Sequence, residues 1–295
     1  MIRSFFKRKI NNFFLYFFIS ISSLIQLNTA EKHFLWEIKS NKATVYLLGS
    51  IHVAKENIYP LDSIIENAFE KSDYLVVEVD LKNLDKAKAQ ELSLYNDGTT
   101  LEDHLSKETY AKLKNKFKEY KIHPAFYKKM KPWAALSLLL NAELKDYGYK
   151  NALGIDAYFL NKSKMKTILE LESFEKQINI FDVELKTVID DFIDYSIKDI
   201  DNSAKMLDSM FVLWSIGDAE RLKTLVIDDL IADNKNSTII EVLFTKRNKN
   251  MAQKIEEYLD MEGKFFVIAG AGHLIGENGI LDILIKKNKY LIKQL

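Results

Sequence analysis

Two segments at opposite ends of this chain share one pattern, and it limits the available folds more than any other feature. ATVYLLGSIH (residues 43–52) and FFVIAGAGH (residues 265–273) each run an apolar stretch into G-x-x-H. Short, continuous apolar runs closed by glycine read as strands buried on both faces, the kind that build a parallel sheet. Glycine lets the chain turn tightly where such a strand ends. Ligands of open parallel sheets bind just beyond the carboxyl ends of the strands. A histidine three residues after the glycine can therefore point into the crevice where such ligands sit.

The segments between these two read as helix and strand in turn. LWEIKSNKATVYLLGSIH contains a hairpin followed by an apolar strand over Thr44 to Leu48. LDSIIENAFEKSD places apolar residues at 64, 65, 68 and 69, the spacing of an amphipathic helix. YLVVEVDL predicts a second strand over Tyr74 to Asp80, and strand, helix and strand together predict a right-handed βαβ unit. Residues 83–160 read as mostly helical, with PWAALSLLLNAELKDYGY apolar nearly all round and so expected to be buried. KMKTILELES, residues 164–173, is a third strand. Residues 174–255 are helical with a break at Trp214, Gly217 and Asp218, and a short helix over 279–287 and a strand in KYLIKQL close the chain. The expected fold class is α/β, with a central, largely parallel sheet built from N- and C-terminal segments and a large helical insertion between them.

GAGHLIG invites a nucleotide reading, but its glycines are spaced G-x-G-x-x-x-G. A dinucleotide fingerprint also needs about 30 residues to complete its unit and an acid about 20 residues on. Too little chain follows, and KYLIKQL offers no acid. The carboxylates suggest a different chemistry. Glu78 interrupts an apolar strand, where a buried carboxylate is costly unless paired or bound to a cation. Glu170 and Glu172 stand at the end of the third strand. Two histidines with one or two carboxylates at one sheet edge form a ligand set for a divalent metal, which could acidify bound water. Glu78 paired with a buried Lys or Arg is the plain alternative. The geometric criterion is separation: His52 and His273 more than ~8 Å apart could not share an ion whose Zn–N bonds are about 2 Å.

The chain has 295 residues and no cysteine, which removes disulfides, thiolate nucleophiles and Cys-based zinc sites together. Arg3, Lys7, Arg8 and Lys9, then an apolar run over residues 13–27, then Ala30, read as a secretory signal peptide. Asn28 is a poor residue three positions before the cut, so an uncleaved N-terminal anchor, with membrane association, is the alternative. The expected organisation is residues 1–30 as signal or anchor and 31–295 as a single domain. Without the first 30 residues the chain has 38 basic and 42 acidic residues, interleaved, which argues against a nucleic-acid partner.

Taken in order, these blocks resemble the TraB/PrgY/GumN family, which includes the Tiki metalloproteases and is distantly similar to erythromycin esterase-like proteins. The matching blocks are VYLLGSIHVAKENIYPL, LVVEVDL, KPWAALSLLL, GIDAYFLNKSK, ILELESFEKQ, WSIGDAE, the Arg247-Asn248 pair and FFVIAGAGHLIGENGILDIL. The resemblance implies a metal-dependent hydrolase, a peptidase in its animal members, with His52, Glu78 and His273 as metal ligands. It implies Glu172 as a further ligand or general base and Arg247 as an anchor for substrate or oxyanion. Manganese or cobalt is the implied metal, with zinc possible, and a peptide or small molecule the substrate of an exported, periplasmic or envelope-associated enzyme. Two other readings use the same crevice: a non-catalytic envelope protein that captures a peptide signal or a small ligand such as haem, and a structural protein with a vestigial site.

Overall fold

The computed structural model describes residues 32–163, 165–232 and 237–295. The expected signal segment and its cleavage site lie outside these residues. Residues 33–295 fall into one unit. Its principal elements are β1 (Leu35–Lys39), β2 (Ala43–Ser50), α1 (Ser63–Glu70), β3 (Tyr74–Val77), α2 (Lys107–Glu119), α3 (Pro132–Lys145), α4 (Ile155–Lys162), β4 (Thr167–Glu170), α5 (Phe174–Asn179), α6 (Ile189–Lys198), α7 (Ser203–Ser215), α8 (Lys246–Asp260), β5 (Gly263–Gly270), α9 (Ile280–Lys286) and β6 (Leu291–Gln294). Among the described residues no helix is long and apolar enough to cross a membrane.

The strands form one sheet in the order β4-β3-β5-β2-β1-β6. β4, β3, β5 and β2 are parallel; β1 pairs antiparallel with β2 and with β6. The α/β class with a largely parallel sheet is thus as the sequence indicates, and the hairpin is β1 with β2. One refinement concerns the βαβ unit: β2 and β3 are parallel but not neighbours, because β5 lies between them. The last long apolar run of the sequence therefore sits at the centre of the sheet, where β5 is buried from Phe265 to Gly270.

Successive residues of β5 face opposite layers, as strand pleating requires. Phe266 packs against Phe69 of α1 and Phe159 of α4, with ring centres 5.5 and 4.8 Å away. Phe265 instead stacks on Tyr258 of α8 at 5.3 Å. α1 fits its layer because Asp62 caps its N-terminus, accepting from the Ile64 N–H at 2.8 Å, and because Ile65, Ala68 and Phe69 form its buried face. Two expectations need adjustment. β3 ends at Val77, not Asp80, so Glu78 begins the turn after the strand. α3 is not enclosed all round: Ala135, Leu139 and Leu144 are buried, but Leu140 and Ser137 face solvent. The helix break is where Trp214, Gly217 and Asp218 place it, with Gly217 at φ 63° and Asp218 capping the next turn.

Candidate functional site

The carboxyl ends of β2, β3 and β5 lie side by side, since Gly49 and Ser50 pair with Ala269 and Gly270, and Val76 pairs with Val267. Sheet register thus brings residues 52, 78 and 273 to one edge. Glycines then set the spacing. A Cβ on Gly49 would strike the Phe34 ring at 2.4 Å, and one on Gly154 would strike the His52 carbonyl oxygen at 2.2 Å. Gly154 therefore lets the start of α4 lie directly on the His52 backbone. Trp214 of α7 fixes the same strand end, its Nε1–H donating to the Gly49 carbonyl at 2.6 Å.

His52 lies 2.8 Å through Nδ1 from Asp156 Oδ2, while Ser50 Oγ donates to the other oxygen at 3.0 Å. The Asp156 carboxylate pushes the His52 pKa up to about 9. The ring is 61 % exposed, so charge pairing and not burial sets this shift. His273, on the single helical turn Ala271–Leu274, is buried, and its Nδ1 lies 2.7 Å from Asn248 Oδ1. Burial pushes its pKa down to about 4.

Glu78 is buried, with Oε1 accepting the Gly270 N–H at 2.6 Å. Its Oε2 accepts from Arg247 Nη2 at 2.9 Å and from Gln177 Nε2 at 3.3 Å. Burial acts to raise its pKa, but His273, His52, Arg247 and the Gly270 N–H together hold it down at about 2. Glu172 is also buried and meets Arg247 side-on, Nε at 3.1 and 3.0 Å and Nη2 at 2.7 Å. One guanidinium therefore bridges two buried carboxylates, and its remaining nitrogen, Nη1, donates to the Leu243 carbonyl at 3.4 Å. Charge-assisted forks of this kind hold carboxylates in a fixed plane. Removing one member of a buried ionic set costs about 3–5 kcal/mol, because the others are left unpaired.

A Cβ on Gly270 would stand 3.2 Å from His52 Nε2, 3.3 Å from Glu78 Oε1 and 3.5 Å from His273 Cδ2. Three chemically active groups thus crowd one point that only glycine leaves open. His52 Nε2 and His273 Cδ2 are separated by less than about 7 Å, inside the ~8 Å bound for a shared ion. The donor set fits a divalent metal in kind: two imidazoles, each with Nδ1 tied to an oxygen as metal-bound histidines usually are, and a carboxylate. The set is not pre-assembled. Among the described residues no three His, Asp or Glu side chains are grouped to hold an ion, because Glu78 spends one oxygen on Gly270 and the other on Arg247. Ligation by Glu78 requires it to release one of these partners. A cleft of about 360 Å³ opens beside His52 and Glu78, walled by Val79, Leu81, Asn151 and Gln177.

The candidates read from sequence separate here. His52, Glu78, Glu172, Arg247 and His273 meet at this edge. Glu170 does not: it is exposed and its Oε1 accepts the Asp80 N–H at 2.6 Å. Two of the other histidines have local roles, His104 stacked on Tyr95 and His123 capping a helical turn. Sequence reasoning gave no role to Asp156, Asn248 or Gln177. Their signals were present in Gly154-x-Asp156 and in the Asn that follows Arg247.

Fold and site together define an α/β protein with two strand-end histidines and an arginine-bridged carboxylate pair at one edge of a parallel sheet. The chain belongs to the TraB/PrgY/gumN family, whose profile matches residues 34–293. It is 25 % identical over 242 residues to the uncharacterized protein YbaP of Escherichia coli (strain K12), covering 81 % of this chain and 87 % of that one. YbaP of Shigella flexneri gives the same figures. An uncharacterized protein of Treponema pallidum (strain Nichols) is 23 % identical over 303 aligned positions, covering 91 % of this chain and 85 % of its own. No solved structure matches significantly.

Proposed function

We propose that this chain is an exported, metal-dependent hydrolase that cleaves an amide bond of a peptide. The observation that supports it most is the convergence of His52, Glu78 and His273 on the open face of Gly270. These three residues would hold the ion, which would supply Lewis acidity toward a substrate carbonyl and make a water more acidic. The chain's own groups do the rest. The cleft lined by His52, Glu78 and Gln177 is where a substrate segment would lie. Glu78 or Glu172, the two carboxylates on Arg247, would accept the proton of the attacking water. Arg247 keeps the two carboxylates from repelling each other, and its Nη1, whose bond to the Leu243 carbonyl is long at 3.4 Å, would be its donor toward a developing oxyanion. Export rests on the basic start and apolar run of residues 1–30.

The test is elemental analysis of untagged protein purified without chelator, followed by incubation with a mixed peptide library and manganese. One divalent ion per chain is expected, lost in both His52→Ala and His273→Ala, with cleaved products from the wild type alone. No bound metal and no cleavage with added manganese would sink the reading. Peptide retained but recovered intact would make the chain a capture protein.

A further inference from the structure

The motif that closes this family's pattern continues past His273 into a loop, Gly276 to Gly279, that no step above uses. The loop is tightly specified. Gly276 and Asn278 take left-handed backbone conformations, φ 80° and 60°, and asparagine is among the few non-glycine residues that tolerate this. A Cβ on Gly279 would lie 2.5 Å from the Ile275 carbonyl oxygen. The Asn278 N–H donates to Asp282 at 2.9 Å, and the Gly279 N–H donates back to Gly276 at 3.1 Å. So pinned, the loop turns the Asn278 carbonyl inward, where it accepts from Asn248 Nδ2 at 2.9 Å.

A carbonyl oxygen can only accept, so the Asn248 atom that faces it is the NH2 group. The Asn248 oxygen must then face His273, and at 2.7 Å it can only accept from Nδ1. Both side chains are buried, with 3 % and 7 % of their surface exposed. We propose that Asn248, oriented by the main-chain carbonyl of Asn278, is a positioning residue that locks His273 in the Nδ1–H tautomer. Nε2, bonded to the Cδ2 that lies 3.5 Å from the Cβ position of Gly270, is thereby left without a proton. The loop after the histidine, and not the histidine's own strand, decides which ring nitrogen faces the site. That the bare nitrogen serves a metal rests on the hydrolase reading; the tautomer itself does not.

The experiment is a long-range 1H–15N correlation spectrum of 15N-histidine-labelled, metal-free protein near pH 7.5, with His273 assigned by its absence in His273→Gln. The wild type should show Nδ1 protonated and Nε2 bare. Asn248→Asp can still accept from Nδ1, so Nδ1 should stay protonated, while the new carboxylate favours a proton on Nε2 as well. Asn248→Ala cannot, and should move His273 to the Nε2–H form or a mixture, with zinc bound about 10–100-fold more weakly. An Nε2–H signature in the wild type overturns the proposal, and so does an unchanged Nδ1–H signature in Asn248→Ala. If Asn248→Ala does not fold, the wild-type and Asn248→Asp spectra still decide. A wild type with the expected tautomer that binds no zinc would count against the hydrolase reading alone.

Discussion

His52 and His273 end the same G-x-x-H motif, yet their surroundings push them in opposite directions, one toward the imidazolium and the other toward the neutral ring. The cause is one neighbour each. Asp156 is a carboxylate at the mouth of the cleft and favours imidazolium; Asn248 is a neutral amide in a buried pocket and cannot repay desolvation. The two shifts give the metal-free protein a characteristic pH dependence. His52, raised to about 9 from 6.5, adds stability that is fully present below pH 6.5 and is lost as pH rises to 9. His273, lowered to about 4 from 6.5, favours the fold above pH 6.5 and loses that contribution as pH falls to 4. Glu78, lowered to about 2 from 4.5, extends the acid-side loss below pH 4.5. In the presence of chelator, urea midpoints should therefore peak near pH 6.5. Asp156→Asn should flatten the limb from 6.5 to 9 and leave the acid limb alone. An alkaline limb unchanged by that substitution would show that Asp156 does not set the charge of His52.

Strand ends explain why the site is built where it is. β2 and β5 stop at the same level and β3 two residues earlier, so the first side chains past the pleat share one edge. Much of this could be read from sequence, because apolar runs that end in glycine mark both strand and exit. What could not be read depends on which helix lies on which strand end. Gly154 looks like any helix-start glycine until the His52 carbonyl is seen 2.2 Å from its missing Cβ. Likewise nothing local says that Arg247, at the start of α8 after a widened π-turn over Glu241–Thr245, will bridge Glu78 and Glu172. The two close-approach glycines should respond differently to substitution. In Gly270→Ala the new methyl meets side-chain atoms at 3.2 and 3.3 Å and no main chain, so the stability loss should be smaller than in Gly154→Ala. That methyl nevertheless fills the point where the three groups converge, and manganese binding by calorimetry should weaken at least tenfold. In Gly154→Ala the obstacle is main chain, so α4 must shift and the unfolding midpoint should fall markedly. Equal stability losses in the two variants would contradict this division.

Across the whole molecule, the sheet order makes the site a product of long-range closure. β5 arrives about 210 residues after β2 and inserts between β2 and β3, which do not touch without it. Sequence reasoning placed both ends of the chain in one sheet, because a continuous apolar run needs cover on two faces. It could not give the strand order, since periodicity says which faces are buried and not which strand is the neighbour. The order predicts two different truncation outcomes. A chain ending at Glu262 lacks β5, α9 and β6, so β2 and β3 have no common partner and the Phe69–Phe159 layer loses Phe266. It should show no cooperative urea transition and bind no metal. A chain ending at Asn288 loses only β6, which pairs with β1 at the far edge from the histidines. That loss exposes one edge of β1 and removes the bonds of Leu295 to His33 and Leu35. The four parallel strands keep their neighbours. Its midpoint should drop while a single transition and manganese binding persist. If the shorter deletion abolished binding as completely as the longer one, the antiparallel edge would be part of the site's support and the division drawn here would fail.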